Sequence, residues 1–168
     1  IHGIYSSPST WEIAINEFYK DPKLREKYEF WTFGYPTGAL IPYLSAELRD
    51  EIHKLKAFRA SEGARDNSMI IVGHSMGGLL AKSMTQSGGD SDWNKLFKVP
   101  IEDLRVSPDY RETLRKMIFY EPMPEIEKVI FCSTPHRGSR IAAKPFGQLA
   151  ANLIQVPINL ALAGSEIL

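Results

Sequence analysis

A chain of 168 residues in which twenty Lys and Arg balance twenty Asp and Glu has no overall field that would draw it to nucleic acid or to an anionic membrane, so function must come from a local site. The length suits one domain with a sizeable core. The single cysteine, Cys132, excludes an intrachain disulfide and lies in an apolar run where a buried, inert thiol is expected, and no apolar run approaches the ~18 residues of a membrane span.

In chain order, Ile1 to Ile4 reads as the end of a strand, and His2-Gly3-Ile4 leads into a small-residue turn. Ser9-x-x-Glu12 has the spacing of a capping box, and a helix should follow with Trp11, Ala14, Ile15 and Phe18 on its apolar face, ending near Asp21-Pro22. Aromatic-rich Tyr28 to Tyr35, closing on the turn cluster Gly34-Tyr35-Pro36-Thr37-Gly38, predicts a second parallel strand. From about Pro42 to Ala60, Leu44, Leu48, Ile52, Leu55 and Phe58 form a stripe, with Glu47, Arg49, Asp50, Lys54 and Lys56 filling much of the remainder. That is an amphipathic crossover helix. A polar turn over Ser61 to Asn67 then precedes a strand over Ser68 to Val72.

Met69 to Ala81 reads as strand, sharp turn and helix, and Gly73, Ser75 and Gly77 fill G-x-S-x-G, the nucleophile-elbow pattern. A Cβ at either glycine would push apart elements that must meet closely, and Gly78 gives further clearance. Gly88-Gly89 breaks regular structure, and residues of about 88–126 read as an insertion, either a cap over the site or a surface excursion. Within it, Ser107-Pro108 predicts a helix start, with Leu114, Met117 and Ile118 on one face. Lys128 to Cys132 is the next buried strand, followed by the loop Ser133 to Ser139. The tail from Phe146 to Leu168 is apolar and mostly helical in pattern, with Pro157 as a break. Alternating strands and helices predict one α/β domain over 1–168, a parallel sheet covered by helices on both faces.

A serine hydroxyl needs a histidine to take its proton and donors to hold the charge that develops on the carbonyl oxygen. For Ser75, the N–H of Met76 at the helix start is one donor, and the N–H of Ile4 after the His-Gly turn is the second. Phosphate binding fits poorly, because Leu79-Leu80 stand where a P-loop carries Lys and then Ser or Thr. Of the four histidines, His53 belongs on a solvated helix face, His74 packs behind the nucleophile, and His2 fixes the oxyanion loop through a hydrogen bond. His136 is either a wall of the site or the base itself, in which case Asp103, Asp109 or Glu121 satisfies the order Ser, acid, His. No pattern of metal ligands occurs, and no cofactor is expected.

The pieces His2-Gly3-Ile4, Trp31 to Gly38, Gly73-His74-Ser75-Met76-Gly77-Gly78 and Thr134-Pro135-His136-Arg137-Gly138-Ser139 resemble bacterial α/β-hydrolases of the lipase and esterase type. The resemblance implies an α/β-hydrolase fold that is incomplete at both ends, with strands before the His-Gly loop. It also implies Ser75 as nucleophile, Ile4 and Met76 as the oxyanion hole, and a triad acid and histidine beyond residue 168. The expected activity is cleavage of a carboxylic ester through an acyl-enzyme on Ser75. Acyl transfer to another alcohol is the near variant, and a non-catalytic hydrolase-like binding module is the reading from a different class. The expected partner is a small-molecule ester or a lipid, not nucleic acid. Aromatic content does not choose between these two substrates, and neither cytoplasm nor periplasm is singled out.

Overall fold

Two parallel strands, β1 (Met69–His74) and β2 (Ile126–Cys132), form the centre of the computed structural model, which describes residues 1–64 and 66–137. They run in register from Ile70 opposite Lys128 to His74 opposite Cys132, with an irregularity where Met69 pairs with Ile126 and Glu127 is passed over. Ile1 continues the pairing on the other side of β1. Its terminal nitrogen donates to Val72 O at 2.7 Å and its carbonyl accepts from His74 N–H at 3.0 Å, the alternation of a parallel ladder. The expected strand end at Ile1 is thus present, and β1 is flanked on both edges.

The helices follow the sequence pattern with local corrections. Helix α1 (Glu12–Lys20) is preceded by a 3₁₀ turn at Pro8–Trp11, so Ser9 lies inside that turn and no capping box forms; its hydroxyl bonds Ser7 instead. A short helix not foreseen, α2 (Pro22–Lys27), starts at once because the Asp21 side chain accepts from Lys23 N–H and Pro22 fits the first helical position. Helix α3 (Ile41–Ser61) buries Leu44, Leu48 and Ile52, as its stripe requires, but Phe58 at its far end is 53% exposed. Helix α4 (Met76–Ser83) follows the serine directly. Beyond it, α5 (Asp90–Leu96) and α6 (Pro108–Ile118) belong to the insertion, and α6 begins with the Ser107 cap and buries Leu114, Met117 and Ile118 as expected.

Ile71 on β1 packs with Leu44, Leu48 and Ile52 of α3 and with Met76, Leu80, Ala81 and Met84 of the elbow helix and its end. Each of the Leu, Ile and Met side chains, fully buried, contributes about 1.5–3 kcal/mol from area removed from water. A second core of Trp93, Ile101, Leu104, Leu114, Met117 and Ile118 joins α5 and α6 and reaches Ala46 of α3. An antiparallel bridge between Gly88 and Tyr120 ties the two ends of this segment together. Arg49 locks α6 onto α3: its guanidinium donates to Lys116 O at 2.9 Å near the end of α6 and lies 4.0 Å from the Tyr120 ring centre. Burial lowers the Arg49 pKa, offset in part by Tyr120 and Asp50. Placing Arg49 on the solvated side of the helix is therefore a misreading, since only 7% of it is exposed.

Two further expectations are corrected, the strand over Tyr28 to Tyr35 and the burial of Cys132. Tyr28 to Tyr35 is extended at its start (φ −126°, ψ 141° at Tyr28) but is not a strand, because no neighbouring backbone among the described residues supplies a ladder. On the face opposite Ile71, Ile70 and Ile130 are 41% and 44% exposed among the described residues. Cys132 is half-buried, not fully buried, because β2 is flanked by a strand on one side only among the described residues. The tail from Phe146 to Leu168 and the loop residues Gly138 and Ser139 lie outside the described residues. Among the described residues, no helix is long and apolar enough to cross a membrane.

Candidate active site

Ser75 sits between β1 and α4 with φ 51° and ψ −120°, a conformation that a residue with a Cβ rarely adopts and that costs on the order of 1–3 kcal/mol. Two neighbouring hydrogen bonds hold it there: Ser75 N–H donates to Cys132 O at 2.8 Å, and His74 N–H to Ile1 O at 3.0 Å. The described non-glycine residues with positive φ are Tyr5 (54°), Ser75 (51°) and Ser133 (50°), each at or just after the end of one of the three segments that run side by side. The chain is bent sharply at one edge of the sheet in all three places.

Close backbone approach explains the glycines. A Cβ on Gly73 would lie 2.6 Å from Gly78 Cα and 2.8 Å from Gly77 O, so β1 and α4 could not meet. A Cβ on Gly77 would collide with His2 O and lie 2.6 Å from Ile1 O, and one on Gly78 would collide with Thr134 Oγ1. On Gly3 it would stand 3.0 Å from both Ser75 Cβ and His74 Nδ1. The His-Gly turn and the serine turn are therefore in direct contact.

The His-Gly turn is held from behind. The imidazole of His2, 1% exposed, bonds Gly3 O through Nδ1 at 2.9 Å; a carbonyl only accepts, so Nδ1 carries the hydrogen. The hydrogen bond expected of His2 is formed. Tyr35, which the sequence reading did not single out, donates its hydroxyl to His2 O at 2.6 Å and stacks on the His2 ring, with centres 4.2 Å apart and planes 11° from parallel. Burial raises the Tyr35 pKa to about 12, so the phenol stays a donor. Its partner is a main-chain carbonyl 33 residues away, which no local pattern encodes; the one available cue is an aromatic placed directly before Pro36 in a turn.

The amides around the serine can be assigned in turn. Those of His74, Ser75 and Gly78 are bonded to Ile1 O, Cys132 O and Ser75 O. Met76 opens α4, where an N–H has no preceding helical carbonyl to meet. Ile4 follows the carbonyl that His2 holds and is 38% exposed. The structure thus brings Ser75, Met76 and the His-Gly turn together.

His136 is on a different contact. Its ring meets Phe131 edge-on with centres 4.5 Å apart, its N–H donates to Thr134 O at 3.0 Å, and the residue is exposed. Among the described residues, no imidazole bonds Ser75 Oγ, and Asp103, Asp109 and Glu121 are all exposed without a bond to His136. His53 is exposed on α3 and the His74 Nδ1 is buried, both as expected. A groove of about 310 Å³, lined by Phe33, Tyr35, Tyr43, Leu44, Glu47 and Glu51 among others, does not include Ser75.

Residues 43–92 match the family model of the PGAP1-like alpha/beta domain. That family is α/β-hydrolase-like, and the matched stretch carries α3, β1, Ser75 and α4 into the start of α5. No curated protein and no solved structure matches the chain. The family likeness, over less than half of the chain, supports a hydrolase-like function for the segment that holds the serine turn.

Proposed function

We propose that the chain is a serine hydrolase acting on carboxylic esters, with Ser75 as the nucleophile. The observation that carries this reading is the strained Ser75 backbone, locked on both sides and set against the His-Gly turn. Ser75 Oγ attacks the ester carbonyl carbon while its proton passes to an imidazole, expected beyond residue 168. The carbonyl electron pair moves to oxygen, and the N–H groups of Met76 and Ile4 receive that charge. Collapse breaks the bond to the alcohol, which leaves with the proton from the imidazole, and the acyl group stays on Ser75. Water, deprotonated by the same imidazole, then attacks the acyl-enzyme; the carboxylic acid departs and Oγ regains its proton. The insertion at 88–126 is a cap in this reading.

The test is labelling of the full-length protein with a fluorophosphonate probe, using Ser75→Ala as control. Labelling of the wild type that vanishes in the variant is expected. Labelling that persists in the variant, or never occurs in the folded full-length protein, overturns the assignment.

A further inference from the structure

We infer that Tyr35 is a positioning residue for the oxyanion hole, acting through His2 on the Gly3–Ile4 peptide. The inference rests on the serine-hydrolase reading above and adds a residue to it.

A trans peptide is planar, with its C=O and N–H pointing in opposite directions. The bond from His2 Nδ1 to Gly3 O therefore fixes more than a carbonyl, because the N–H of Ile4 belongs to the same plane and is turned the other way. The aim of that donor is as steady as the His2 ring. Two contacts from Tyr35 steady His2: the hydroxyl holds its main-chain carbonyl at 2.6 Å, which fixes the backbone that carries the ring, and the aromatic face covers the imidazole itself at 4.2 Å. Phe33 stacks on the other partner of the pair, 5.4 Å from the Tyr35 ring, so the phenol is itself held. Tyr35 is 9% exposed, and its hydroxyl bond to His2 O is buried. The Gly77 backbone closes on His2 O from the elbow side, so the same carbonyl is the point where loop, phenol and helix meet.

Tyr35→Phe separates positioning from folding, since it keeps the stacked ring and removes only the hydroxyl. With the full-length protein and p-nitrophenyl butyrate as probe, kcat per serine site, counted by fluorophosphonate titration, should fall about tenfold with KM unchanged. That is less than the ~10²–10³ expected from deleting an oxyanion donor outright. The rate of fluorophosphonate labelling should fall in parallel, because phosphonylation also places negative charge on an oxygen at that position. Loss of labelled sites with unchanged turnover per remaining site means the hydroxyl serves folding alone and overturns the inference. An active wild type whose Tyr35→Phe variant is kinetically identical also overturns it and leaves the serine reading standing. A wild type that neither labels nor turns over removes both.

Discussion

Gly77→Ala tests whether the elbow and the His-Gly turn form one unit. In most helices this substitution stabilises by up to about 1 kcal/mol, because alanine loses less backbone freedom. Here the added Cβ collides with His2 O and reaches 2.6 Å from Ile1 O, where ordinary contact begins at 3.4 Å, so the turn must open by more than about 0.8 Å. Neither carbonyl moves freely: Ile1 O accepts from His74 N–H and His2 O from the Tyr35 hydroxyl. Overpacking of this kind costs about 1–3 kcal/mol, which outweighs the helical gain and leaves a net loss of about 1–2 kcal/mol. Thermal unfolding followed by circular dichroism should show a midpoint lower by about 2–8 °C. Turnover of p-nitrophenyl butyrate should fall further, by up to about 10²-fold, because a reacting group displaced by about 1 Å loses most of its effect. Gly89→Ala is the control, with open space around its Cβ, and should change neither quantity much. A Gly77→Ala protein with a raised midpoint and full turnover refutes the reasoning.

Two other outcomes follow from the same geometry. Ser75→Gly and Ser75→Ala should both be inactive, but the glycine variant should be more stable by about 0.5–1 kcal/mol in urea titration, since it relieves the positive φ of 51° at some cost in backbone entropy; equal stability would argue against strain at the turn. Burial is the largest single influence on the Glu125 pKa and raises it, but the ion pair with Lys56 Nζ at 2.8 Å, a backbone N–H and the charge of His53 together outweigh it, so the folded carboxyl lies below the ordinary 4.5. A lowered folded pKa means a stabilising contribution present above that ordinary value and lost as pH falls through the folded one, so Lys56→Met should reduce the loss of stability on acidification from about pH 7 to about pH 3. An unchanged pH slope in the variant counts against the pair.

The sequence made legible whatever depends on period or on spacing within one turn. The stripe of α3 and the face of α6 are periodic, and burial of Leu44, Leu48, Ile52, Leu114, Met117 and Ile118 follows from hydrophobicity at helical intervals. Ser107 and Pro108 signal a helix start through contacts within one turn, and they make one. What failed depends on distant partners. Ser9 has the spacing of a cap, yet the preceding Pro8 starts a 3₁₀ turn one residue too early. Tyr28 to Tyr35 has strand composition, but a strand also needs a neighbour with its own free N–H and C=O groups, which composition does not reveal. Arg49 has the charge of a solvated residue, and only the end of α6, 67 positions later, supplies the carbonyl that lets it be buried. Tyr35 escaped for the same reason.

The serine turn was readable from few residues because it is built almost wholly from main chain. Segments near residues 1–3, 73–78 and 132–134 converge through Ile1 O, His2 O, Cys132 O, Gly77 O and Gly78 Cα, and a backbone atom is the same whatever residue carries it. Sequence is constrained there only where a side chain would intrude, which is why glycine marks Gly3, Gly73, Gly77 and Gly78 and why little else is needed to recognise the turn. The elements that aim the donors are different in kind. His2 and Tyr35 act through specific side-chain atoms on carbonyls, and their identity matters only because of where the fold brings them. The short motif therefore locates the serine turn, whereas in the proposed oxyanion hole the direction of the Ile4 N–H is set by residues outside the motif, and those are where substitutions should change rate while leaving the turn itself intact.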